Sequence, residues 1–213
     1  MKKEIRNLNL QDENTQLRAL EETDGKRFIT GYAAVFESRS SVIVEPVNGK
    51  KIAFYEFMER GSFDGVMEDN VKALVNHNKE RLLGRTSSGT LTLTIDERGL
   101  HFRLDVPNTT EGNDLWEMIK RGDYEGCSFA FVPAEQRWER GEELPHRYIE
   151  RVAKLVDISI VTDPAYSETN VDIDYAQRSI DELDKDEEIR DDYLAEIDIK
   201  TKQLQIYRLT SIN

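Results

Sequence analysis

Apolar runs rich in β-branched and aromatic residues alternate with short polar segments along most of the chain. Such runs, bounded by Gly, Pro, Asn and Asp, are typical of strands joined by turns. A hairpin is expected around residues 23–25, where Thr-Asp-Gly separates two of the runs. The predicted strands cover residues 17–20, 27–36, 55–58, 71–77, 89–95, 100–106, 126–132, 148–152 and 155–161.

Other segments depart from this pattern. Residues 110–121 favour a helix, because their apolar side chains recur at helical spacing, a threonine stands in front and Gly122 lies just past the end. A brief helix is predicted over residues 63–68, behind a serine that can cap it. Residues 37–51 are mostly polar and predict a loop that contains a turn.

Polarity divides the chain into three parts. Residues 1–19 are polar and predict a loosely attached N-terminal arm, and residues 20–172 hold the predicted strands. Residues 173–213 are crowded with Asp and Glu, with apolar residues at roughly helical intervals, which predicts an acidic helical tail. Many short strands with two inserted helices favour an α+β, mainly β fold, with a small, partly closed antiparallel β-barrel and a C-terminal helical extension.

Composition narrows the possible functions. The net charge of −13 and the pI near 4.8 argue against a binder of nucleic acid or anionic membranes, which needs a basic face. No stretch approaches the roughly 18 apolar residues of a membrane span, and the start lacks the apolar region of a signal peptide. A single cysteine fits a reducing compartment, and three scattered histidines make a zinc site improbable. We therefore expect a soluble intracellular protein without a metal or other cofactor.

The run from Gly126 to Pro133 is predicted to be the strand around which the site is organised. Side chains alternate between the two faces of a strand. Ser128 therefore shares a face with small Ala130, whereas Cys127 points to the opposite face. A serine in a buried strand is often only a hydrogen-bonded core residue, so its chemistry depends on its neighbours.

Two further side chains fit a nucleophilic serine. A serine hydroxyl needs a base to take its proton, and that base needs an orienting group. His77, at the end of an apolar strand, can be the base. Asp157, inside another apolar strand, can be the orienting carboxylate, because a buried carboxylate requires a partner. Two alternatives stay open: Asp157 paired with Arg151 or Arg85, and His77 as a partly exposed strand-end residue.

Several blocks of the sequence, in matching order, resemble the prohead proteases of tailed phages. They are VKALVNHNKERLLGR over residues 71–85, GCSFAF over 126–131 and LVDISIVTDPA over 155–165, with ERGSF over 59–63 upstream. The resemblance covers about residues 20–170. That family is similar to the herpesvirus assemblins, which implies a serine protease built on a small β-barrel wrapped by helices.

The resemblance also implies residue roles. His77 matches the family's base and Ser128 its nucleophile, whereas Asp157 stands where the family commonly carries a glutamate. Assemblins use a second histidine in this third role, so His146, and less plausibly His101, are alternatives to Asp157.

Two neighbouring features complete the predicted site. Gly84 and Arg85 match a segment that can supply the oxyanion hole, and the alternative is a turn glycine beside a surface arginine. Cys127 is interpreted as an inert core thiol, because alternation turns it away from Ser128.

The implied function is that of a serine endopeptidase of capsid maturation. Its expected substrates are the scaffold protein or the scaffold segment of the major capsid protein, and the protease itself, inside the procapsid in the host cytoplasm. A homodimer is implied by analogy to the assemblins. The acidic tail is expected either to dock the enzyme on scaffold or capsid protein or to be a solvated helix that finishes the domain.

Two other functions are weighed against this one. A non-catalytic scaffold or capsid-interaction protein with a protease-like barrel predicts the same acidic, procapsid-associated chain, but not the retained Ser128 and His77. A cytoplasmic esterase favours a Gly-x-Ser-x-Gly elbow, and the sequence has alanine at the last position of that motif.

Overall fold

The structure, a computed structural model of the protein, describes residues 2–8, 17–22, 24–47, 50–124 and 126–162. The described residues form eleven strands and one α-helix. In chain order they are β1 (Glu4–Leu8), β2 (Arg18–Glu21), β3 (Arg27–Val35), β4 (Ile43–Val47), β5 (Lys50–Met58), β6 (Lys72–Val75), β7 (Asn78–Arg85), β8 (Leu91–Ile95), β9 (Gly99–Asp105), α1 (Thr110–Arg121), β10 (Gly126–Glu139) and β11 (His146–Val161).

The larger of the two sheets has seven strands and is organised around β11. One side of β11 pairs antiparallel with β10, and β1 pairs antiparallel with the far side of β10. The other side of β11 pairs parallel with β5 over residues 146–149 and with β6 over residues 157–160. Strands β4 and β7 extend this side further. The order β1-β10-β11-β6 brings four separate stretches of sequence together.

The smaller sheet contains β2, β3, β9 and β8 in that order, all antiparallel. One hydrophobic cluster includes residues of both sheets and of α1. Its members from β10 are Cys127, Phe129 and Phe131, which lie on one face of the strand as the alternation predicts. Ser128 and Ala130 consequently point to the opposite face of the larger sheet.

The helix α1 agrees with the prediction at both ends. The Thr109 side chain accepts a hydrogen bond from the Gly112 N–H, and Gly122 closes the helix in the left-handed conformation. The side chains of Leu115, Trp116 and Ile119 face the core. No described helix is long and apolar enough to cross a membrane.

The mainly β fold is confirmed, but the barrel wrapped by helices is not. Among the described residues the strands form two sheets, and one isolated β-bridge, between Phe36 and Met58, connects them. The brief helix predicted over 63–68 is a single 3₁₀ turn over Asp64–Val66. The predicted helical tail, 173–213, lies outside the described residues, so the tail and its boundary with the domain stay a prediction.

Two predicted loop and strand boundaries are wrong. Residues 43–58 include the antiparallel pair β4–β5 instead of a loop, and Pro46 is tolerated because β4 is an edge strand. Pro133 does not end β10. The ladder with β11 shifts register around Pro133, and such an irregularity accommodates a residue that has no N–H to donate.

The predicted loose N-terminal arm is also wrong for the part that the structure describes. Residues 4–8 form β1, whose Asn7 lies opposite Ser128 in the ladder. The Arg6 guanidinium donates to Glu56, and both side chains are buried. This ion pair, with the β10 ladder, fixes β1 beside the strand that carries Ser128.

Candidate active site

His77 is the second residue of a two-residue turn between β6 and β7. Asn76 and His77 have φ angles of +50° and +52°, and Val75 pairs with Asn78 across the turn. Positive φ at both central residues is the signature of the type I′ hairpin turn. Because non-glycine residues rarely adopt this conformation, the surrounding structure must hold it.

Strand β11 supplies the contacts that hold this turn. The Asn76 N–H donates to the Ile160 carbonyl at 3.1 Å, and the His77 N–H donates to Ser159 Oγ at 3.1 Å. The turn therefore sits against β11 and presents the imidazole toward the face where Ser128 lies.

The imidazole of His77 is hydrogen-bonded to the serine on β10. Its Nε2 lies 2.6 Å from Ser128 Oγ. Ser128 is fully buried, whereas 16% of the His77 side chain is exposed. Ser128 pairs directly with Ser159 on β11, so the ladder fixes the distance between the two strands that carry the site.

Asp157 lies on the other side of the imidazole. Its Oδ1 is 2.5 Å from His77 Nδ1, and its Oδ2 is 3.0 Å from Lys3 Nζ. Burial acts to raise the pKa of Asp157, but the hydrogen bonds and charges of His77 and Lys3 hold this pKa below its ordinary value. The carboxylate is therefore ionised at neutral pH and favours the imidazole tautomer that carries its proton on Nδ1.

Ser159, which was not among the predicted site residues, completes this group. Its Oγ lies 3.3 Å from Asp157 Oδ1 and 3.2 Å from His77 Nδ1. The alternation of side chains along β11 was the signal that could have found it, because residues two apart share a face.

Ser128 has a second partner that the sequence did not predict. Its Oγ lies 2.9 Å from the Arg6 carbonyl oxygen on β1. The hydroxyl has one proton, so it can donate either to Arg6 or to a neutral His77. Transfer toward Nε2 is the arrangement that makes the oxygen nucleophilic.

No hydrogen bond or ion pair joins Gly84 or Arg85 to this group among the described residues. They lie on β7, which β6 and β11 separate from β10. The Arg85 N–H donates to Thr90 Oγ1 at 3.0 Å, and a Cβ at Gly84 would lie 2.7 Å from Leu104 Cδ1. Close packing thus explains the glycine, and the oxyanion role stays a prediction.

Arg151, the alternative partner of Asp157, has another partner in the structure, and so do the two histidines that are alternatives to Asp157 in the third role. Arg151 pairs with Glu135, and His101 Nε2 lies 2.8 Å from Thr30 Oγ1 in the smaller sheet. His146 packs against the rings of Tyr55 and Phe57.

Cys127 lies on the opposite face of β10. Burial raises the pKa of its thiol to about 12, so the thiol stays protonated.

No metal site is formed within the described residues, since they include no suitable group of three or more His, Cys, Asp and Glu side chains. The arrangement that is formed is a hydroxyl, an imidazole and a carboxylate in one hydrogen-bonded row. Such a row can activate the hydroxyl for acyl transfer.

The family model described as caudovirus prohead serine protease matches residues 13–186. Among solved structures, the bacteriophage T4 capsid assembly protease aligns with a TM-score of 0.46 and 11% sequence identity, over 76% of this chain and 98% of that chain. No curated protein sequence matches the chain.

Proposed function

Since the chain belongs to the caudovirus prohead serine protease family, and is thus a serine protease of phage capsid maturation, we propose that Ser128, His77 and Asp157 are its catalytic residues. One observation carries this assignment. His77 is hydrogen-bonded at one ring nitrogen to Ser128, at 2.6 Å, and at the other to Asp157, at 2.5 Å. The first distance allows a proton to pass directly from Ser128 to His77, and the second allows Asp157 to orient the His77 ring, without rearrangement of the site.

Each residue then has a defined role in peptide-bond hydrolysis. Ser128 Oγ attacks the scissile carbonyl carbon while His77 Nε2 takes its proton. The imidazolium returns that proton to the leaving amine, which leaves an acyl group on Ser128. A water activated by His77 releases the acyl group as a carboxylic acid. Asp157 stabilises the imidazolium in both steps and stays ionised throughout, consistent with its lowered pKa.

The substrates that we propose are the scaffold protein or the scaffold segment of the major capsid protein, and the protease itself. Cleavage takes place inside the procapsid, in the host cytoplasm. In this proposal residues 20–172, together with strand β1 at the edge of the larger sheet, are the catalytic domain, which acts as a homodimer. The acidic segment 173–213 docks the enzyme onto scaffold or capsid protein. The net charge of −13 directs this docking toward basic partner surfaces.

Co-expression with the capsid and scaffold proteins of the same phage tests this proposal. We expect the wild-type chain to produce defined fragments by mass spectrometry, and Ser128→Ala to produce none. Ser62→Ala is the matched control, because Ser62 is also fully buried and its Oγ has no hydrogen-bond partner among the described residues. If the Ser128→Ala chain still produces the fragments, Ser128 is not the nucleophile. That result would favour a non-catalytic capsid-interaction protein, with the cleavage carried out by another protease in the sample.

A further inference from the structure

We propose that Lys3 is a positioning residue of the active site, which fixes the Asp157 carboxylate in the orientation that His77 requires. This inference rests on the proposed catalytic roles of Ser128, His77 and Asp157. It assigns a function to a segment whose sequence predicts only a loose arm.

The two oxygens of Asp157 have different partners. Oδ1 is shared by His77 and Ser159, and Oδ2 is bonded to Lys3 at 3.0 Å. A carboxylate held at one oxygen can rotate about its terminal torsion, which is broad and roughly two-fold. The bond at Oδ2 restricts this rotation and keeps Oδ1 directed at the imidazole.

The lysine is held in place by the strand that it precedes. Glu4 and Arg6 face the opposite side of the sheet, because side chains alternate along β1. There Arg6 pairs with Glu56 at 2.6 Å, and Arg147 pairs with Glu4 at 2.7 Å. Ion pairs of this kind, buried and hydrogen-bonded, are costly to break at one partner, so β1 is a fixed wall of the site.

The charge of Lys3 also affects the proton transfer. Burial acts to raise the pKa of Asp157, and Lys3 together with His77 lowers it, which keeps the carboxylate ionised. The Lys3 side chain is 37% exposed, so solvent screens part of this effect. Other cations at this level of the sheet are Lys72 on β6, opposite Asp157 in the ladder, and Arg85 on β7, opposite Lys72. Both are unchanged when Lys3 alone is replaced.

Two variants and a control separate the positioning role from a structural one. Lys3→Met removes the charge and the hydrogen bond, and Lys3→Arg keeps both. Lys2→Met is the matched control, because Lys2 is exposed and precedes Lys3 directly. The measurement is the rate at which a fluorophosphonate ester labels Ser128 between pH 5 and 9, which requires no peptide substrate.

For Lys3→Met we expect labelling about tenfold slower at its pH optimum, and an acidic limb shifted to higher pH, because Asp157 loses a partner that lowers its pKa. Lys3→Arg is expected to restore both values, and Lys2→Met to match the wild type. A Lys3→Met profile that overlays that of Lys2→Met would overturn the positioning role while leaving the proposed function intact. A wild-type chain with no labelling at Ser128 would instead overturn the proposed function, and the Lys3 role with it.

Discussion

His77 Nδ1 lies 2.5 Å from Asp157 Oδ1, although the two residues are separated by 80 positions in the sequence. The contact exists because β6 and β11 run parallel and adjacent, with the His77 turn directly after β6. Asp157 thereby selects the tautomer that leaves Nε2 free to accept the proton of Ser128.

Replacing Asp157 with Asn should reduce kcat by about 10³–10⁴-fold, because an amide no longer selects that tautomer or stabilises the imidazolium. Asp114→Asn, on the exposed side of α1, provides the control. Steady-state kinetics on a cleaved peptide give the comparison, with circular dichroism to check the fold. An Asp157→Asn enzyme as active as the control would move the third role to another residue.

Asn76→Ala should destabilise the chain by about 1–2 kcal/mol, since alanine adopts positive φ at a cost that glycine avoids. It should also lower kcat, because the strain is relieved by moving the adjacent His77 ring. Asn76→Gly is the matched variant and should retain most of the wild-type stability and most of the wild-type kcat. Urea unfolding measures the stability and steady-state kinetics measure kcat. If the Ala and Gly variants have equal stability and equal kcat, the positive φ at residue 76 is not what holds the turn.

Cys127→Ala should leave kcat unchanged, because the thiol faces the core and its pKa is raised to about 12. The lost packing should cost about 1–2 kcal/mol in unfolding free energy. Iodoacetamide should leave the native wild-type enzyme active over hours. Rapid inactivation by iodoacetamide, absent in Cys127→Ala, would show that the thiol is accessible and near the reacting atoms.

Acid should destabilise the protein partly through Asp157 and Glu4. Burial acts to raise the pKa of Glu4, but the hydrogen bond and charge of Arg147 lower this pKa below its ordinary value. The pKa of Asp157 is likewise lowered by its partners. A carboxyl with a lowered native pKa contributes stability that is complete above its unfolded pKa, roughly 4, and is lost as the pH falls through the native value. Urea midpoints between pH 7 and pH 3 measure this loss.

The slope of that pH dependence identifies the contribution of Asp157. Its Asn variant cannot titrate, so its stability should fall less steeply below about pH 4 than that of the wild type. Parallel curves for the two proteins over the acidic range would show that Asp157 is not held by its partners in solution.

Local patterns predicted the parts of the structure that depend on short-range geometry. The opposite faces of Cys127 and Ser128 follow from the two-residue period of a strand. The bounds of α1 follow from capping residues within one turn of its ends, with Gly122 at the C-terminus. His77 and Asp157 were proposed as partners of Ser128 from their chemistry and a family resemblance, and the fold brings all three side chains into hydrogen-bond contact.

Features held by distant contacts were missed. Strand β1 has no apolar period, and it is stabilised by an ion pair between Arg6 and Glu56, 50 residues away. Lys3, which directly precedes β1, therefore could not be connected with the site. The continuation of β10 past Pro133 depends on register shifts against β11, which local propensity does not encode.

The site of covalent labelling by a fluorophosphonate ester, located by peptide mass spectrometry, tests most directly whether Ser128 is the nucleophile. We predict one adduct per chain, on Ser128, with none on Ser128→Ala and a loss of labelling in His77→Ala. Ser62→Ala should be labelled as fast as the wild type. An unchanged adduct on the Ser128→Ala chain, or fast labelling without His77, would contradict the assignment of Ser128 as a nucleophile activated by His77.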